Sequence, residues 1–279
     1  MKINLPLSRS DSGIFYMEKN NTILWSLRVN NTSFMSYLMG TMHAKSDDAY
    51  THLEFVSEYL NSCNVFAAEI DLSNTYSTNN DFYLPDGINL LSLLGEKKYK
   101  KYAKIILKGF DFNLDQVLNF KPLITQNLVL EKLITESNSL SLDFKLHEIA
   151  SDMGKELTGI ETIEEQNNIL NSIPIDIQLK MFIDGFSNIK RMKKALYNTI
   201  KLYKTGDIQG LYKEAKRGLG KLRKIMLFQR NEIMAERIIE KISRDSVFVG
   251  IGAAHLGGKK GVLKLLKDKG IQILPVMRH

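Results

Sequence analysis

The stretch Ser246 to Gly261, SVFVGIGAAHLGGKKG, constrains the fold more than any other part of the chain. Val247, Phe248, Val249 and Ile251 make a short apolar run rich in β-branched residues, the pattern of a strand covered on both faces. Gly250, Gly252, Ala253 and Ala254 then keep the space small, and His255 follows at the carboxyl end. In open α/β sheets that end of the strands is where ligands bind.

The opposite end of the chain repeats the device. Phe34 to Leu38 form another apolar run, closed by Gly40-Thr41-Met42-His43, so both runs end in Gly-x-x-His. Two imidazoles delivered by two strand ends can converge on one point only if the strands lie close in a sheet, and neutral imidazole is the commonest metal-binding side chain. The first unit reads as a β-hairpin: Ile23 to Val29 and Phe34 to Met39 are joined by Asn30-Asn31-Thr32. A helix capped by Ser46 follows, with Tyr50, Leu53, Val56 and Leu60 on its apolar face and His52 and Glu54 expected in solvent.

Asn64 to Ile70 is the next buried strand, and it brings Glu69 to its end, beside Asp71. A carboxylate there needs a partner. Either it pairs with a Lys or Arg, or it joins His43 and His255 in a two-His, one-carboxylate set able to hold a divalent ion. Lys155 to Ile160 reads as a further strand ending in Glu161, and Thr162 to Glu165 form a capping box that starts a helix directly after it. Asp143 and His147, four apart on a helix stopped by Gly154, could bind a metal together but read first as a surface pair.

Residues 73 to 140 read as a helical insertion that shapes or covers a pocket, with a Pro85-Asp86-Gly87 turn and a helix start at Pro122. Pro174 to Lys204 and Asp207 to Ile242 read as two long helices. In the second, Asn231 interrupts the apolar face of Leu227, Met234, Ile238 and Ile242, with Arg230 at its flank. Arg230 either pairs with a buried carboxylate, holds a catalytic Glu in place, or binds a substrate carboxylate. Val262, Leu265 and Leu266 line a short helix before a last strand, Ile271 to Val276, a β-α-β finish.

Charge is spread unevenly over the 279 residues, whose formal total is +7. Lys190 to Lys224 holds twelve Lys and Arg against Asp207 and Glu214. That basic segment is either a solvated helical face or a surface that attracts nucleic acid, anionic lipid or an acidic partner, and no specific nucleic-acid motif accompanies it. The single Cys63 excludes an internal disulfide and a multi-Cys zinc site. No run approaches a membrane span, and the N-terminus lacks the apolar segment of a signal peptide. A full-length chain is therefore expected in the cytoplasm; an exported or membrane-associated protein would need a signal outside this sequence.

Taken together, these motifs resemble the TraB/PrgY/GumN family, related to the Tiki metalloproteases. The resemblance is carried by the Leu-Trp strand before YLMGTMH, by AAEIDL, LPDG and Lys121-Pro122, and by Leu142-Asp143 and ASDMGKELTGIETIEEQ. It continues through Tyr203 with Gly206-Asp207, Arg230-Asn231 with Met234-Ala235, and VGIGAAHLGGKKGVLKLLKDKGIQILPV. It runs over nearly the whole chain and implies a single α/β domain over residues 1 to 279, of the Tiki, erythromycin-esterase and ChaN superfamily. That domain has a central, mainly parallel sheet flanked by helices. The implied site has His43, Glu69 and His255 as metal ligands for Mn, Co or Zn, and Glu161 as a further ligand or general base. Arg230 and Asn231 are placed toward substrate, and Ile160 stands where Leu is usual in the family. The implied activity is metal-dependent hydrolysis of a peptide or protein substrate. The alternative is a binding protein that sequesters a peptide or a haem-like ligand in the same cleft.

Overall fold

A computed structural model describes residues 21–42, 47–71, 79–134 and 140–278. The opening hairpin pairs β1 (Leu24–Arg28) antiparallel with β2 (Ser36–Thr41), setting Trp25 opposite Leu38. Asn31 makes the turn with φ of 68°, a left-handed conformation that Asn tolerates better than other non-glycine residues. Helix α1 (Leu53–Asn61) buries Val56 and Leu60 and leads into β3 (Val65–Ile70). The helical stretch then supplies α2 (Leu90–Leu94), α3 (Glu96–Phe110) and α4 (Pro122–Ile134). Next, α5 (Leu142–Asp152) feeds β4 (Glu156–Glu161) and α6 (Ile163–Asn171) follows at once.

Helices α7 (Ile175–Phe186), α8 (Ile189–Lys204), α9 (Ile208–Leu219) and α10 (Arg230–Ile242) precede β5 (Val247–Gly252). Helix α11 (Val262–Asp268) and β6 (Gln272–Pro275) end the fold. The described strands form a sheet in the order β4-β3-β5-β2-β1-β6. The β4–β3, β3–β5 and β5–β2 pairs are parallel, while β1 runs antiparallel to both its neighbours. The architecture is thus α/β, with helices on both faces of a mainly parallel sheet.

Alternation along the central strands explains why they read as continuous apolar runs. Val65 and Ala67 of β3 with Val247, Val249 and Ile251 of β5 meet α10 and α11 through Met234, Ile238, Val262 and Leu266. Phe66, Ala68 and Phe248 point to the other face, onto Val56 and Leu60 of α1 and Leu142, Leu146 and Ala150 of α5. The helical stretch 79–134 builds a core of its own with α7, in which Tyr102, Ile106, Phe110 and Val129 pack on Phe182 and Phe186. Polar contacts fasten it to α6: the Asp81 carboxylate accepts from Asn167 (3.0 Å) and Asn171 (3.1 Å), and Lys121 donates to the Asn171 side-chain oxygen.

Three expectations need revision. The two long helices are each broken: Asn188 caps α8 by accepting the Arg191 N–H at 3.0 Å, and Gly220, with φ of 52°, ends α9. The segment Lys224–Gln229 is then a π-helix that runs directly into α10. The β-α-β finish forms, with β6 parallel to β5 after α11 but two strands away, paired with β1 at the sheet edge. His52 is half-buried because its Nε2 meets the Tyr203 carbonyl at 3.1 Å. Asp143 and His147 are not a surface pair either: Asp143 is buried, and the His147 ring stands edge-on to Phe66 with its Nε2 out of solvent. The expected Ser46 cap lies outside the described residues.

The Thr162–Glu165 capping box forms as expected, with the Glu165 N–H on Thr162 Oγ1 (3.1 Å) and the Thr162 N–H on Glu165 Oε2 (2.9 Å). Arg237 grips the same carboxylate at 2.5 and 2.7 Å and holds it at about 2, below the ordinary 4.5. Because the folded-state value is depressed, this contribution to stability is complete above the ordinary value and lost as pH falls toward about 2. Chemical denaturation of wild type and Glu165→Gln should therefore show a stability gap near neutrality that narrows by about pH 3. A gap of equal size at both would contradict the ion pair's role.

Candidate active site

The site begins with the register of β2 on β5, which sets Gly40 beside Ile251 and Thr41 beside Gly252. The turn Ala253–His255 packs into the notch that Gly40 leaves. A Cβ at Gly40 would lie 2.8 Å from the Ala253 Cβ and 3.0 Å from its Cα, closer than side chains approach backbone. Tyr203, fully buried at the end of α8, donates its hydroxyl to the Gly40 carbonyl at 3.1 Å and so ties the helical hairpin to the same strand. Gly206 and Asp207 then turn the chain, and Asp207 caps α9 by accepting the Gly210 N–H at 2.8 Å.

His255 is buried, and its tautomer follows from its neighbours. Asn231 places its side-chain nitrogen 2.6 Å from the Lys260 carbonyl, which can only accept, so the amide oxygen must face His255. That oxygen lies 2.6 Å from Nδ1, which therefore carries the proton, and the lone pair of the neutral ring sits on Nε2. Orientation of an imidazole through its other nitrogen is the usual support of a metal-binding histidine. Asn231 is itself fully buried with its amide engaged on both sides, so it stands behind His255 rather than in an opening.

The carboxylates converge on one guanidinium. Arg230 Nη2 donates to Glu69 Oε1 at 2.5 Å and to Glu161 Oε2 at 2.6 Å, and its Nε lies 3.0 and 3.1 Å from the two Glu161 oxygens. All three side chains are secluded, with 13%, 8% and 2% of their surface exposed for Arg230, Glu69 and Glu161. Burial works against the Arg230 charge, but the Glu161 and Glu69 carboxylates outweigh it and raise the guanidinium above its already high range. Of the readings open for Arg230, the ion pair with buried carboxylates is the one that forms. Glu69 Oε2 accepts the Gly252 N–H at 2.7 Å. A Cβ on Gly252 would sit 3.3 Å from that oxygen and 3.4 Å from His255 Cδ2, so the carboxylate and the imidazole close on the same small space.

Two features of the site were not anticipated. Gln166 of α6 donates to both carboxylates, at 3.2 Å to Glu69 Oε1 and 3.0 Å to Glu161 Oε2. The available signal was its place four residues after the Thr162 cap, one helical turn on and therefore back on the strand-end side. The π-helix just before Arg230 was the other, and such segments recur at functional sites because they re-aim the side chains that follow. Cys63 contributes nothing here: burial pushes its thiol up to about 11, away from thiolate chemistry.

His43 lies outside the described residues, which end on this side at Met42, next to the Thr41–Gly252 pair. Among the described residues no three His, Cys, Asp or Glu side chains form a group able to hold a metal. The donors that are described nonetheless suit a divalent cation: an imidazole whose lone pair is fixed on Nε2 and a carboxylate oriented by a backbone N–H, facing each other across Gly252.

Removing the guanidinium should expose how much the cluster matters. Arg230→Met leaves two buried carboxylates side by side, and loss of one partner from a buried ion pair costs about 3–5 kcal/mol. Urea unfolding that shifts by less than about 1 kcal/mol would mean the carboxylates reach other compensation.

Comparison with known proteins agrees with the geometry. The TraB/PrgY/gumN family model matches residues 23–275. Metalloprotease TIKI2 of Danio rerio is 20% identical, over 91% of this chain and 60% of that protein. Metalloprotease TIKI1 of Xenopus tropicalis is 22% identical, over 91% of this chain and 61% of its own length. The chain thus spans about three-fifths of the length of these relatives. No solved structure matches it significantly. With a family match that covers nearly all of the chain, from the first strand of the sheet to the last, this protein belongs to the TraB/PrgY/gumN family.

Proposed function

We propose that this protein is a metal-dependent hydrolase, most specifically a metallopeptidase, with His43, Glu69 and His255 as the ligands of a divalent ion such as Mn, Co or Zn. The observation that carries the reading is the Asn231–His255 contact at 2.6 Å, which reserves Nε2 as a donor at the carboxyl end of the central strand. The names of the two Tiki relatives support the same class. A bound divalent ion supplies Lewis-acid chemistry at neutral pH, activating water and polarising a carbonyl.

The chain's own residues supply the rest. Glu69 offers a carboxylate held in place by the Gly252 N–H, and Glu161 is the proton acceptor. Glu161 Oε1 accepts only from Arg230 Nε and keeps a lone pair for the proton, and once the carboxylate is neutral its hold on the guanidinium weakens and an N–H can be released. The released N–H is then available to a carboxylate of the substrate or to negative charge developing on the scissile group. Gln166 keeps the two carboxylates at a fixed separation while this exchange takes place.

Elemental analysis of protein purified without chelators, alongside peptide-library turnover with added Mn, Co or Zn, tests the reading. Wild type should hold near-stoichiometric metal, and His43→Ala and His255→Ala should lose both metal and turnover while their circular dichroism is unchanged. Asn231→Ala should weaken metal affinity about 10- to 100-fold, because the ring loses its orienting partner. Wild type that takes up none of the three ions and turns over no peptide, yet binds peptide or haem, would replace this reading with that of a binding protein.

A further inference from the structure

The segment from Lys190 to Lys224 hides its acids and displays its bases. Its exposed charged side chains are Lys190, Arg191, Lys194, Lys201 and Lys204 on α8, then Lys213, Lys216, Arg217, Lys221, Arg223 and Lys224 on α9 and beyond. Its two acids are withdrawn: Asp207 is half-buried and caps α9, and Glu214 is 20% exposed, accepting from Asn198 at 3.3 Å and pairing with Arg217. Across the two helices and the turns that follow, the surface carries charge of one sign.

On α8 the pattern is sharper. Lys190, Lys194, Tyr197, Lys201 and Lys204 recur every three or four residues, which at 100° per residue places them within about 40° of one line, over about 21 Å. Tyr197 sits at the middle of this stripe and is 56% exposed, the most exposed aromatic there. The opposite side of the helix is already occupied, with Ile200 and Tyr203 buried, so α8 cannot turn an apolar face outward. Whatever meets the stripe meets ammonium groups and a phenol ring. Lys204 is partly engaged with Asp48 at 2.6 Å, which leaves Lys190, Lys194 and Lys201 as the stripe's free-standing cations among the described contacts.

We infer that this surface docks on a bilayer containing anionic lipid, with α8 lying along the headgroups. Point-like ammonium groups spread along a line suit a diffuse anionic surface, whereas recognition of one phosphate favours the planar Arg fork, and the stripe carries only Lys. The tyrosine suits the same surface, since its ring enters the headgroup region while its hydroxyl stays hydrated. Recognition of single-stranded nucleic acid would call for several aromatics between the cations, and α8 exposes one. No described helix is long and apolar enough to cross a membrane, so the contact inferred is peripheral.

The test is co-sedimentation of the intact protein with phosphatidylcholine vesicles that contain either no anionic lipid or about a third phosphatidylglycerol. Binding is expected on the anionic vesicles alone, and it should vanish as salt rises from about 0.1 M to about 1 M and the screening length falls from about 10 Å to about 3 Å. The triple variant Lys190→Gln, Lys194→Gln, Lys201→Gln should bind about a hundredfold more weakly with unchanged circular dichroism. Tyr197→Ser should bind more weakly but keep the salt dependence. Equal binding to both vesicle types, salt-resistant binding, or a triple variant that binds like wild type would overturn the inference. So would tighter binding to a duplex oligonucleotide than to the anionic vesicles. The wild-type salt series stands alone if the triple variant fails to fold.

Discussion

Arg230 is the point on which the sheet's ligand end depends. Its guanidinium joins the end of β3 through Glu69 to the end of β4 through Glu161, and both strands to α10, while Gln166 adds α6 to the same knot. Burying three charges is expensive, and apolar residues of similar volume would often serve stability as well or better. An interior that had only to close would not need this triad. Its presence beside a buried histidine, at the end of the sheet where α/β folds bind ligands, is best understood as a site maintained against the preference of a core for apolar contacts.

What was legible in the amino-acid sequence was whatever is decided locally. The apolar runs of β3 and β5 marked the buried strands, and the Gly-x-x-His ending of β5 placed His255 at the carboxyl end of its strand. The Thr162–Glu165 box marked where α6 starts. Partnerships set by distant packing were not legible. Asn231 reads as a polar interruption of an apolar face until its partner, His255, is brought 2.6 Å away across 24 positions of sequence. Gln166 becomes significant only when α6 docks with that side toward the strand ends. His52 lies off the apolar stripe of α1 and looks exposed, yet the end of α8 covers it. The π-helix before Arg230 has no signature in the apolar spacing of Lys224–Gln229.

Helix α6 couples regions that the chain order keeps apart. One side of it presents Gln166 to the carboxylates, while Asn167 and Asn171 hold Asp81 and so secure the helical stretch 79–134, whose apolar core is shared with α7 rather than with the sheet. An apolar contact strengthens the same junction: Leu123 of α4 is buried with Ile173 and Leu222, and Leu170 of α6 packs against them.

The distribution of charge completes the picture. The basic segment carries more positive charge than the whole chain, +10 against +7, so the remainder is slightly negative and the charge is unevenly distributed. A polarised molecule is turned by an anionic surface before contact, since the field acts on the asymmetry and not only on the total. The basic side of that asymmetry is continuous in sequence with the site: Arg223 and Lys224 lead through one π-helical segment to Arg230. Surface cations and the buried guanidinium thus lie on one stretch of chain, and they differ only in where packing puts them. The exposed ones face solvent, and the buried one is given two carboxylates of its own.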